Sequence, residues 1–279
     1  MPSEELKSLV DQMPDPDHRG MYTKDIDKEK IEKAVAAIAA GGRENVEGLI
    51  DMLGEPGAAD NVKPHYALHC VLNYTKIANK PAEQREFCDA LAGRLGGDLS
   101  DYNKAYLCQE LMWFGDKSAV PALAALLTNE ALCDPAGMAL VAIGEGAAEA
   151  LREALPKAQG GRRRTIVHSL AALAEPGDKA SAAVFVAALA DDDRETRIAA
   201  GAGLANIADP AHTGALLGAA DAANGWERIK QNAHCLKLAE NFAAAKDKAS
   251  SEKVYKHLRD TRTDTEEKHI RDAAAAALA

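Results

Sequence analysis

A chain of 279 residues with 33 basic and 43 acidic side chains carries a formal charge of −10. That balance excludes the basic footprint of a nucleic-acid binder and should repel anionic lipid. Composition also argues against a sheet protein: 58 residues are alanine and only 4% are aromatic, which favours closely approaching helices.

The opening Met1-Pro-Ser-Glu-Glu-Leu6 lacks the basic n-region and apolar core of a signal peptide. Charge-free windows such as Ala180–Ala190 reach 11 residues, short of the roughly 20 needed to cross a bilayer. Cys70, Cys88, Cys108, Cys133 and Cys235 make an odd set with no C-x-x-C pair. Four of them sit among apolar helical residues, where a free thiol acts as a small hydrophobe, and this favours a reducing compartment. The expected location is cytoplasmic, with a periplasmic or secreted one as the alternative if a leader is removed.

In chain order, residues 1–27 read as an irregular segment, because Met13-Pro-Asp-Pro-Asp-His18 cannot hold a helix. A first helix is expected over Asp27–Ala40, with Ile31, Ala34, Val35 and Ile38 on one face and a stop at Gly41-Gly42. Its partner covers Asn45–Leu53. A second pair spans Pro64–Ala78 and Pro81–Leu95, divided by Asn79-Lys80-Pro81. From about Ser100 onward the chain repeats itself every thirty residues or so. Four helix ends align: Leu111-Met-Trp-Phe-Gly115, Leu140-Val-Ala-Ile-Gly144, Leu170-Ala-Ala-Leu-Ala174 and Leu204-Ala-Asn-Ile-Ala208. Each is followed by a turn and a second apolar helix, within Ala119–Leu127, Ala147–Leu155, Ala183–Leu189 and Ala215–Ala220. Self-similarity of this kind marks stacked helical pairs, each too small to bury its own apolar face. Residues 28–279 are therefore expected to form one continuous array of about seven pairs, all-α and without sheet.

The segment Asp193-Arg-Glu-Thr-Arg-Ile-Ala-Ala-Gly-Ala-Gly-Leu-Ala-Asn-Ile-Ala-Asp-Pro210 has an acidic cap, an arginine, a run of small residues, then leucine and isoleucine before Asp-Pro. His269–Leu278 restates its first half. These residues resemble the short HEAT-like helical repeats first grouped around phycobilisome lyases, and the resemblance covers most of 100–279 and, more loosely, 28–97. It implies an α-α superhelix, a right-handed solenoid whose concave face is lined by the second helix of each pair. Trp226–Phe242 followed by Ser250–Leu258 departs from the pattern and looks more like a tetratricopeptide-type hairpin. The motif encodes packing and says little of function.

His65 and His69 are four apart on one helix beside Cys70, a spacing that can place two imidazoles on one metal. The sequence offers no further ligands for a zinc site, so a place at a helix–helix seam is favoured. None of the eight histidines precedes a glutamate, which removes the His-Glu dipeptides of helical-repeat di-iron hydroxylases. No phosphate-binding loop, nucleophile elbow or H-E-x-x-H helix occurs. Asp191-Asp-Asp193 reads as a helix cap rather than a calcium loop, and Gly201-Ala-Gly203 as close packing.

Two features are candidates for a binding surface. Tyr66, Tyr74, Phe87, Tyr102, Tyr106, Trp113 and Phe114 gather seven of the twelve aromatics in one region, and aromatics are enriched at interface hot spots. A core role for them is weighed about equally. Arg162-Arg-Arg164 is the one run of three basic residues, although successive helical positions point about 100° apart. The sites expected to touch a partner are Tyr102, Tyr106, Trp113, Arg162, Arg163 and Arg164. The expected function is a non-catalytic protein–protein interaction scaffold, a monomer without cofactor or metal, binding neither nucleic acid nor membrane. The alternative is a lyase-like small-molecule binder or an accessory module of a larger enzyme, secreted or not.

Overall fold

A computed structural model describes residues 1–16, 26–58 and 61–279. Among the described residues every regular element is helical, with sixteen α-helices, short 3₁₀ turns and no strand. None of these helices is long and apolar enough to cross a membrane. Backbone contacts cluster into two compact units, Met1–Ala147 and Ala148–Ala279.

The first unit opens with a helix where the sequence predicts irregular chain: α1 spans Glu4–Val10. Ser3 caps it, its Oγ accepting the Leu6 N–H at 3.1 Å, and Leu6, Val10 and Met13 are buried. The prolines that argued against helix begin only after this short element. The rest of Met13–His18 lies partly outside the described residues, as do residues 59 and 60 in the turn-rich stretch after Leu53. There follow α2 (Lys28–Ala40), α3 (Gly42–Asp51), α4 (Val62–Ile77) and α5 (Pro81–Arg94). The unit continues with α6 (Asp101–Phe114), α7 (Val120–Leu126) and α8 (Cys133–Ile143). Packing skips one helix at a time: α2 lies on α4, α3 on α5, α4 on α6 and α6 on α8. Helix α3 starts three residues before the expected Asn45, because Gly42 takes φ +59° and turns the chain at once. That left-handed region suits glycine.

In the second unit α9 (Ala147–Ala154, its first residue at the boundary) is followed by α10 (Gly160–Leu173) and α11 (Lys179–Ala188). After these come α12 (Arg194–Ile207), α13 (Thr213–Ala222), α14 (Gly225–Ala244), α15 (Lys248–Thr261) and α16 (Lys268–Leu278). Helices α10, α12 and α14 pack in a row, with α11 and α13 against α12, α13 also against α14, and α15 between α14 and α16.

A repeated polar device joins the row. The fourth residue of each first helix is an arginine that bonds an acid further along the chain. Arg163 reaches Asp191 at 2.6 Å, Arg197 reaches Glu227 at 2.8 and 2.6 Å, and Arg228 reaches Glu267 at 2.6 and 3.1 Å. Arg197 also donates to the carbonyls of Asp191 and Asp192, and Arg228 to those of Ala220 and Asp221. Those carbonyls follow the preceding helix or end it, where such groups lack intrahelical partners. Near the other end of the helices, Asn206 donates to Ala171 O at 2.9 Å and Asn241 to Ala205 O at 2.7 Å. Asp193 caps α12 through the Thr196 N–H at 2.9 Å.

Between these rungs the helices touch. A Cβ on Gly203 would lie 2.4 Å from the Phe185 ring, and one on Gly201 would lie 1.9 Å from Gln231 Oε1. Both glycines are therefore close-packing positions, as the sequence predicts.

Candidate functional site

Helix α6 is held from three directions. Ser100 Oγ accepts the Asn103 N–H at 3.3 Å, and Asn103 in turn donates to Leu53 O at 3.2 Å. Leu107, Cys108, Leu111 and Phe114 are buried beneath it. At its end a Cβ on Gly115 would lie 2.4 Å from Leu111 O, so glycine is required there. Helix α8 starts where Asn129 Oδ1 accepts the N–H groups of Ala131 and Leu132, and it stops at Gly144 with φ +74°.

Burial of one face leaves a stripe on the other. Tyr102, Ala105, Tyr106, Gln109, Met112 and Trp113 follow the helical i, i+3, i+4 spacing along α6. Pro135 and Met138 stand on α8. Tyr102, Ala105, Tyr106, Gln109, Met112, Pro135 and Met138 line an open cleft of ≈ 490 Å³. Tyr102 is 44% exposed, Trp113 56% and Met138 60%. On α4, Ile77 is exposed as well. Contiguous exposed apolar side chains are uncommon on a soluble protein, which makes this face the candidate site.

Under the stripe, α4 and α6 are joined by polar contacts. Tyr106 donates its hydroxyl to His65 O at 2.7 Å, and burial pushes the phenol well above its ordinary range. The rings of His65 and Tyr106 lie 4.3 Å apart. His65 Nδ1 donates to Asn61 O at 2.8 Å, leaving Nε2 buried without a partner, and burial holds this imidazole below its usual pKa. His69 Nδ1 meets both oxygens of Glu110 at 3.0 and 3.2 Å. The Glu110 hydrogen bond raises His69, against the opposing effect of burial. Glu110 is itself 2% exposed, so the His69 imidazole supplies the hydrogen-bond partner that its buried carboxyl group requires.

The two histidines thus point to different partners, one to a carbonyl and one to a carboxylate. Among the described residues no group of three or more His, Cys, Asp or Glu is disposed to hold a metal. None of the five cysteines is in a disulfide. Burial pushes the thiols of Cys108 and Cys235 up to about 12, which keeps them protonated and unreactive near neutrality. His234 belongs to the second unit, where burial, with Lys230 and Lys237 nearby, lowers it to about 4.

The expected site residues separate into two groups. Tyr102 and Tyr106 line the cleft, and Trp113 extends the same stripe. Of the other aromatics, Phe87 and Phe114 are core, whereas Tyr66 and Tyr74 are half-buried. The three arginines are on α10 in the second unit. Arg163 is the first rung of the arginine row, Arg164 approaches Asp193 at 3.9 Å, and Arg162 is not free either. Arg163 and Arg164 thus face different acids of their own unit. A second, polar pocket of ≈ 470 Å³ involves Arg163 and Asp191–Asp193, and its charged groups largely satisfy each other. Met112, Pro135 and Met138 were missing from the sequence-based set. The signal for them was the apolar i, i+3 spacing on helices whose opposite face is also apolar. The cleft also lies on first helices of their pairs, whereas the repeat pattern assigns a binding face to second helices.

No family model matches the chain, and no curated protein matches it.

Proposed function

We propose that the chain is a HEAT-like helical-repeat solenoid whose role is non-catalytic binding of another protein, and that the stripe on α6 and the facing residues of α8 form the contact surface. The observation that carries this is the cleft itself: Tyr102, Trp113 and Met138 are held exposed beside Tyr106 and Met112. Aromatics and methionine supply large contact areas and adapt to a partner's shape. The cleft lining of four apolar residues, Gln109 and two tyrosines supports binding through packed side chains. Five cysteines outside any disulfide fit a reducing, cytoplasmic setting.

The cleft volume also favours one other reading, since ≈ 490 Å³ falls in the range of small-molecule sites. Such sites add convergent polar groups for orientation, and here Gln109 and the tyrosines are the lining residues with polar side-chain atoms.

The test is partner capture from the source cells with the native chain, Tyr102→Ser and Met138→Gln, each checked by thermal melting. Binding through the cleft predicts captured protein reduced about tenfold in both variants, as for hot-spot truncations, with melting temperatures nearly unchanged. Undiminished capture by both folded variants would reject this surface.

A further inference from the structure

The acidic charge is not shared between the units. Met1–Ala147 contains 24 acidic and 14 basic side chains, which accounts for the whole formal −10, whereas Ala148–Ala279 contains 19 of each. The exposed apolar cleft lies in the acidic unit. Its helices are entered by acidic residues: Asp98 and Asp101 lead into α6, and Glu130 and Asp134 into α8. Lys104 is the one basic side chain on α6, and α8 has none. The remaining carboxylate on α6, Glu110, is buried against His69.

From Tyr102 to Trp113 the stripe extends about 16 Å at 1.5 Å per residue, the length of three helical turns. A partner helix presenting apolar residues at i, i+3 or i+4, i+7 and i+11 covers that distance. An extended strand would need a sheet edge, and the described residues contain no strand.

Narrowing the binding-face reading on which it rests, we propose that the α6–α8 cleft receives a basic amphipathic helix of a partner protein. Its bulky apolar side chains seat among Tyr102, Tyr106, Met112 and Met138, and its lysines or arginines face the acidic entries of α6 and α8. Charge complementarity selects the partner here, while the apolar contact supplies most of the affinity. The same acidity disfavours nucleic acid and anionic lipid as occupants.

Three synthetic peptides of about fourteen residues test it by calorimetry with the full chain. One has leucine at helical spacing and lysine elsewhere, the second has glutamate in place of lysine, and the third scrambles the leucine–lysine sequence. The amphipathic lysine peptide is expected to bind, to weaken at least about tenfold between 50 and 500 mM salt through screening, and to lose about tenfold with Met138→Gln. The other two peptides are expected not to bind. If the glutamate peptide binds as tightly and is weakened by Met138→Gln, charge selection is wrong while the binding face stands. If lysine-peptide binding is indifferent to Met138→Gln, the proposal is overturned, because the peptide then sits elsewhere. Absence of binding by all three peptides overturns it as well. So does uptake of phosphatidylserine vesicles that Met138→Gln abolishes.

Discussion

His69 and His234 are both partly buried imidazoles, and their surroundings move them in opposite directions. Glu110 raises His69, while burial and two lysines lower His234 to about 4. A raised imidazole contributes stability that is complete below its unfolded pKa of about 6.5 and disappears as pH rises through the folded value. The stability advantage of the native chain over His69→Gln should therefore be larger at pH 6 than at pH 9. A lowered imidazole has the opposite sign: the unfolded chain takes up the proton first, so stability falls as pH drops from about 6.5 to about 4. His234→Leu should flatten that part of the profile. Urea unfolding across this range measures both effects, and profiles for the two variants parallel to that of the native chain would refute the assignments.

The residue scale also shows what the sequence could not reveal. The spacing of His65 and His69 was plain, but the choice between a metal and a seam depended on Glu110, forty-one positions away from His69. Three consecutive arginines look alike in the sequence, yet Arg163 alone stands fourth in its helix, the position Arg197 and Arg228 also occupy. That position faces the next acid in the row. Comparing the three helix starts would have identified this arginine as structural.

Helices were the most legible elements, because glycine, proline and capping residues act locally. Gly41-Gly42, Asn79-Lys80-Pro81, Asp193 and Asp209-Pro210 all mark observed ends. Helix α1 was missed because its stability comes from lying against α2, α3 and α4, a tertiary contact that its short apolar pattern does not announce. Glycines illustrate the same division. Gly203 and Gly218 are both helical and neither requires a positive φ. Alanine at Gly218 meets nothing within 4 Å and should stabilise by roughly 0.5–1 kcal/mol through helix propensity. Alanine at Gly203 is driven into the Phe185 ring and should cost about 1–3 kcal/mol by overpacking. Denaturant melts of the two variants should shift in opposite directions. Equal shifts would mean that α11 and α12 are not in the close contact described.

At the scale of the whole molecule, the chain combines an acidic unit that bears the exposed aromatic and methionine side chains with a neutral unit organised by arginine–carboxylate rungs. Exposed apolar residues occur in the second unit too, at Trp226 and Ile229. There Lys230 lies over the indole at 4.4 Å and shields part of it. The aromatic cluster was visible in the sequence, but its division into core and surface was not. Burial depends on which helix face the next pair covers, and Tyr102 and Phe114 on the same helix have opposite fates.

The central claim is that the cleft on α6 and α8 is where a partner protein binds. Four of the six methionines are placed usefully for testing it: Met112 and Met138 line the cleft, whereas Met13 is buried elsewhere and Met1 is exposed at the start of the chain. Carbon-13 methyl spectra of the methionine-labelled chain, recorded as captured partner is added, read the surface directly. The account predicts that the Met112 and Met138 signals shift and saturate together while those of Met1 and Met13 stay in place. Saturable binding that leaves Met112 and Met138 unmoved would contradict it.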